Sequence, residues 1–277
     1  MTWVSVPTML PYNFNSVSNM SHPFSSSHYL IVSLSHCLIV SLFLAACDSG
    51  DIIEQATAKD NDGHTVKLTA CVKGGCDLTD KYTLSLATFK SGDNYALTAY
   101  TIPTTADGDT EVSVVAPNVG SDISTVELVI TNRLRQRVVT LASIRMDDYA
   151  DSSDTIRLDV GMVDVGMFNV IQHHVFNQSC IQCHGGNGGS GAAGLNLTEG
   201  QALTNLVDVA STRKEGVFRV VSGNATQSLL HQILAEGGEE ILHYNHTEVL
   251  SSQFKNDVAA VRSFIDDWIN KLKIEDK

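Results

Sequence analysis

The first 47 residues contain no Asp, Glu, Lys or Arg. That absence excludes a charge-faced soluble domain over this stretch, and it also excludes the basic segment that usually opens an export signal. The whole chain lacks any cluster of Lys and Arg that could follow a phosphate backbone, and its formal charge is -13, from 18 basic and 31 acidic residues. Nucleic acid is therefore excluded as a partner, and an acidic surface favours a basic one. Between Asp48 and Asp164 no nucleophile, acid and base stand in an arrangement that could carry catalysis. No methionine occurs after Met167.

What is present is the composition of a chain that folds. Hydrophobic residues make up 43% and charged residues 18% of 277, enough to build a core without multiple membrane spans. At about 150 residues per domain, the length points to two domains once a targeting segment is set aside. That segment is residues 1–47. Leu30 to Ala46 is apolar apart from scattered Ser and His, shorter than the roughly 20 residues of a membrane span, and ends in small residues. Leu44-Ala45-Ala46-Cys47 resembles the lipobox of bacterial lipoproteins. The resemblance implies export, lipidation of Cys47 and anchoring to the inner or outer membrane on its periplasmic or surface side.

Residues 48–164 alternate apolar and polar positions at short intervals: Thr65 to Val72, Tyr82 to Thr88, Tyr95 to Ile102, Glu111 to Val115, Ser124 to Thr131, Arg137 to Ile144 and Thr155 to Val163. The pattern predicts seven strands. Asn61-Asp62-Gly63, Gly74-Gly75, Gly92-Asp93-Asn94 and Asp107-Gly108-Asp109 supply turn residues between them. The expectation is an all-β, Ig-like sandwich. Cys71 and Cys76 enclose Val-Lys-Gly-Gly, a tight turn across which an oxidising compartment permits a disulfide. Carbohydrate binding is an alternative role here, with Tyr82, Tyr95, Tyr100 and Phe89 as the aromatic candidates.

From Val165 onward the apolar period becomes helical. A predicted helix, Phe168 to Gln178, leads into Cys180-Ile181-Gln182-Cys183-His184. Two thiols three positions apart can each add to one vinyl group of a haem, and the adjoining His then faces the iron. The same residues could give ligands to zinc, with His243 and His246 completing the set, but that spacing matches no zinc finger. A final helix is predicted from Ser251 to Leu272, with Phe254, Val258, Val261, Ile265, Trp268 and Leu272 on one apolar face; Trp268 and Met167 are expected in the core.

These C-terminal features resemble bacterial monohaem cytochrome c domains of the planctomycete type. Gly185-Gly186, the small-residue loop to Gly194 and Leu195-Asn196-Leu197 are similar to that family's CHG and GLxL segments. Val220 to Leu230 is similar to its VxPGxPxxSLL element, with Ser222 and Ala225 in place of the prolines. The resemblance covers about residues 166–272 and implies an all-α haem domain over 165–277 that carries one haem c. It also implies a Met ligand about seven residues before the Leu that opens the last helix; counting back from Leu250 reaches His243.

The reading is then bis-His ligation, His184 proximal and His243 distal, with His246 the alternative and His231 a distant third. His173 and His174 are assigned to surface or propionate contacts. The expected function is a lipid-anchored, periplasmic electron carrier for an unidentified redox partner protein, and not an enzyme. The alternatives are a surface-binding lipoprotein with an accessory cytochrome and a haem peroxidase, which would need a vacant iron position.

Overall fold

The computed structural model describes residues 63–104, 107–186 and 191–273. Residues 1–47, the lipobox and Cys47 lie outside them. Among the described residues no helix is long and apolar enough to cross a membrane.

Seven strands form where the alternation predicts them: β1 (His64–Lys73), β2 (Tyr82–Phe89), β3 (Thr98–Thr101), β4 (Asp107–Val119), β5 (Thr125–Asn132), β6 (Arg137–Arg145) and β7 (Ile156–Asp164). In β1 the apolar residues Val66, Leu68, Ala70 and Val72 are buried, while Thr69, Cys71 and Lys73 are only partly so. This is the two-residue period of a strand with one face on a core. The strands make two sheets, ordered β4-β1-β7 and β3-β2-β5-β6. The pairing is not wholly antiparallel, because β7 lies parallel to β1.

β2 and β5 are buried on both faces. One face joins the main core. Across the other runs the segment Asn94–Leu97, bonded to β2 through Leu97 N and Thr88 O, and to the approach to β6 through Ala96 N and Arg135 O. It covers a small second core of Ala87, Phe89, Ala96 and Val129. The Arg137 guanidinium lies 3.9 Å from the Phe89 ring centre. It donates from Nε and Nη2 to the buried Glu127 carboxylate, which Thr125 and Thr140 also serve as donors. A buried carboxylate is tolerated here because its oxygens are so fully used.

The chain then turns helical. α1 (Met167–Ile171) continues through widened, π-type turns over Gln172–Cys180 into α2 (Ile181–His184), so one helical rod carries the whole CxxCH motif. Such widened turns often accompany functional sites. Short helices follow: α3 (Ala202–Leu206), α4 (Leu229–Leu234), α5 (Glu239–Leu242) and α6 (His246–Phe254), and then the long α7 (Val258–Lys271). The single helix expected from Ser251 to Leu272 is broken. Lys255 takes φ 48, ψ -113 at the start of a one-turn 3-10 segment, and Asp257 turns inward to Arg137 Nη1 at 3.5 Å.

The fold class expected from the sequence, an all-β sandwich followed by an all-α cytochrome c-like domain, is corrected by the packing. The chain has a mixed α and β fold. Residues from both sheets and from the helices share one continuous core, and the described residues fall in one compact unit. α7 is the reason. Its apolar face, with Val261, Phe264, Ile265, Trp268 and Ile269 buried, meets both partners at once: Trp268 lies 5.2 Å from Phe168 of α1, and Phe264 lies edge-on to Tyr82 of β2 at 4.9 Å. Each such ring contributes about 1.5–3 kcal/mol by burial, so helices and sheets stabilise one another. Tyr82 Oη donates to Asp267 at 2.8 Å. Burial, with that carboxylate, pushes its ionisation well upward.

Candidate haem-binding cleft

His184 ends α2. Its Nδ1 is 2.9 Å from the carbonyl of Ala192; a carbonyl only accepts, so Nδ1 carries the hydrogen and Nε2 keeps its lone pair. The loop after the motif folds back to make this contact. Leu197 N donates to His184 O at 2.7 Å. Gly191 is required at the fold-back, since a Cβ there would stand 2.1 Å from Leu195 O and 3.1 Å from His184 Cα. The buried Gln172 donates to Leu197 O at 2.9 Å and so secures the loop to the rod. An imidazole oriented by a carbonyl on its far nitrogen is the arrangement that metal-binding histidines use.

Opposite stands His246, the first residue of α6. Asn245 caps this helix by accepting from Glu248 N at 2.9 Å. The His184 and His246 rings are 6.4 Å apart and within 15° of parallel. His246 Nδ1 is buried with no hydrogen-bond partner, an arrangement that costs about 1–3 kcal/mol unless something fills the space. Both imidazoles have pKa values below the usual histidine range, chiefly through burial. The Arg219 charge adds to this at His184, and His184 itself adds to it at His246. Both are neutral near pH 7, the form that binds a metal.

His243, the favoured distal residue, stands outside the cleft. It is exposed at the C-cap of α5 with φ 55 and does not line the cleft. The left-handed cap turns it outward, while the capped start of α6 turns His246 inward. His231 is also elsewhere, with Nδ1 2.8 Å from Asp266 of α7. His173 is 3.8 Å from Glu199, and His174 lines a separate groove with Asp257 and Arg137.

Between the two rings lies an apolar cleft of about 80 Å³, smaller than the roughly 300–1,000 Å³ of ordinary ligand sites. Cys180, Cys183, Phe176, Leu197, Leu206, Leu230, Leu250 and Ile265 are among its lining residues. Burial, with Cys183 nearby, pushes the Cys180 thiol up to about 12. Among the described residues no three His, Cys, Asp or Glu side chains are grouped to hold a single metal ion. The two thiols and two imidazoles do not make a tetrahedral zinc site as they stand. With two thiols in the wall and two near-parallel imidazole rings 6.4 Å apart, they are a donor set for a larger group that the thiols would hold at its edge.

Cys71 and Cys76 are free thiols, not a disulfide. Cys71 points from the outward side of β1, and Cys76 is exposed in the 3-10 turn Gly75–Asp77 beyond Gly74. Sequence reasoning did not single out Ala192, Gly191 or the buried Arg219, because backbone carbonyls and tertiary neighbours leave no motif. Neither the known family models nor the curated proteins match this chain.

Proposed function

We propose that the cleft holds one haem c, attached through Cys180 and Cys183 and ligated axially by His184 and His246, and that the protein carries single electrons. The observation that carries this reading is the pair of near-parallel imidazoles at an apolar cleft with two thiols in its wall. When bound, the haem iron supplies one-electron exchange between its ferric and ferrous states. The protein's part is to hold and insulate. The thiols would hold the group through thioether links, the Ala192 carbonyl fixes the His184 ring, and the Leu side chains exclude water. With His184 and His246 both holding the iron, no position on it would remain for peroxide, which favours a carrier over a peroxidase. Imidazole in place of a thioether favours ferric iron, so the potential lies below that of Met-ligated relatives of this chemistry. Export and a lipid anchor at Cys47 belong to the same proposal and rest on residues 1–47.

The test is expression of the full chain with c-haem attachment machinery. One haem per chain is expected by mass and pyridine haemochrome, with a low-spin ferric spectrum lacking the long-wavelength Met-to-iron band. Cys180→Ala with Cys183→Ala abolishes the covalent adduct. A native chain whose mass lacks haem refutes the reading.

A further inference from the structure

The two histidines of the cleft come from different segments, and they are held unequally. The His184 ring has its own bond, from Nδ1 to the Ala192 carbonyl. The Nδ1 of His246 is buried with no partner. The place of that second ring is therefore inherited from the helix that carries it, α6.

α6 is in turn tied to the proximal rod by the side chain of Gln253. His246, Val249, Leu250 and Gln253 follow the i, i+3, i+4, i+7 spacing of one helical face. The first three line the cleft, and Gln253 ends the row. Its Nε2 donates to the carbonyl of His174 at 2.6 Å, and its Oε1 accepts from the Ser179 hydroxyl. A carbonyl only accepts, so the amide turns its NH2 toward His174 and leaves its oxygen to the hydroxyl. Both partners lie in the widened turns Gln172–Cys180 of the rod, and Ser179 lines the cleft immediately before Cys180. Among the described residues no other hydrogen bond joins α6 to the rod. The bonds of Thr247 run instead to Leu234 and Ala235, at the end of α4.

Apolar contacts hold two surfaces together without fixing how they slide, because burial has no direction. Hydrogen bonds fix register. A ligand pair must keep its geometry to about 0.5 Å, which requires support from behind the ligands themselves.

We infer that Gln253 is the positioning residue of His246: by tying α6 to the rod that carries His184, it sets the spacing of the two imidazoles. This rests on the proposed haem reading and adds what keeps the distal ligand in place. Without the tie, α6 moves more freely against the rod, and His246 yields its position on the iron more readily to an added ligand. The attachment residues Cys180 and Cys183 belong to the rod alone and are unaffected.

The test uses the full chain loaded with haem by the attachment machinery, and cyanide as the probe, which binds the ferric iron only where an axial imidazole gives way. Gln253→Ala is expected to keep one haem per chain and to bind cyanide about tenfold more tightly than the parent, the worth of one to two hydrogen bonds. Ser179→Ala, which removes the partner that orients the amide, is expected to show a smaller gain in the same direction. The two changes together are expected to do no more than Gln253→Ala alone, because they break a single tie. An unchanged cyanide affinity in Gln253→Ala, or additive effects in the double variant, overturns the assignment and leaves the haem reading standing. A parent chain that carries no haem overturns both. Where Gln253→Ala fails to fold, Ser179→Ala decides, and an unchanged affinity there overturns the assignment.

Discussion

The two walls of the cleft are held by different means. His184 sits at the end of an 18-residue helical rod, Met167–His184, and a loop returns over it to bond its ring, its carbonyl and, through Gln172, the rod itself. His246 starts a nine-residue helix, α6, capped by one asparagine and ended at Lys255, a non-glycine residue in a backbone region that side chains rarely adopt. The proximal wall is thus local and redundantly tied. The distal wall is a short helix held by its side chains: Thr247 donates to the Leu234 and Ala235 carbonyls, and Gln253 donates to the His174 carbonyl and accepts from Ser179. One wall is fixed by a returning loop, the other by side-chain ties to neighbouring segments.

Breaking the distal wall at the proposed ligand, His246, has the largest expected effect. His246→Ala retains the covalent haem but converts the ferric spectrum from low to high spin, whereas His243→Ala leaves it unchanged; electron paramagnetic resonance reads both. The reverse result would restore His243 as the ligand. Next is Gly191→Ala on the proximal wall, where the added methyl meets backbone rather than a yielding side chain. A loss of about 1–3 kcal/mol is expected in chemical denaturation, as for other overpacked sites; an unaltered midpoint would show that the loop is less tightly tied than its geometry indicates.

Asn245→Ala removes the cap of α6 and costs about 1 kcal/mol, with hydrogen exchange rising in α6 and not in Met167–His184. The smallest effect is electrostatic. Burial raises the Asp257 pKa above 3.8 in spite of Arg137, so the folded state binds this proton more tightly than the unfolded chain. Its contribution to stability is therefore present at low pH and is lost as pH rises through the raised value. Asp257→Asn removes that part of the dependence, so the difference in melting temperature between variant and parent should grow in the variant's favour as pH rises just above 3.8. A constant difference would mean that Asp257 ionises as it does in the unfolded chain.

The same contrast governs how much was legible in the residues. The proximal wall was readable because Cys180, Cys183 and His184 stand at fixed local spacing on one helical rod, which brings them to the same cleft. The strands were readable because alternation over five to ten residues is itself local. A count back from Leu250 reaches His243, but a count does not say which way a side chain faces: the left-handed cap at His243 leaves it exposed, and the start of α6 puts His246 in the wall of the cleft. The expected Cys71–Cys76 bridge failed for a related reason: spacing across a Gly-Gly turn does not say that the second thiol comes back to the first.

By itself the sequence determined the seven strands, the helical rod that carries the CxxCH residues, and the apolar stripe of α7, since each follows from periodicity or spacing within one segment. Only the tertiary structure decided that β7 pairs parallel to β1 and that sheets and helices share one core. It alone brought His246 beside His184 at the cleft and tied Gln253 to the rod. These depend on which surfaces meet across 60 to 190 residues of chain, and no local pattern records that, because many registers and partners satisfy the same run of apolar positions.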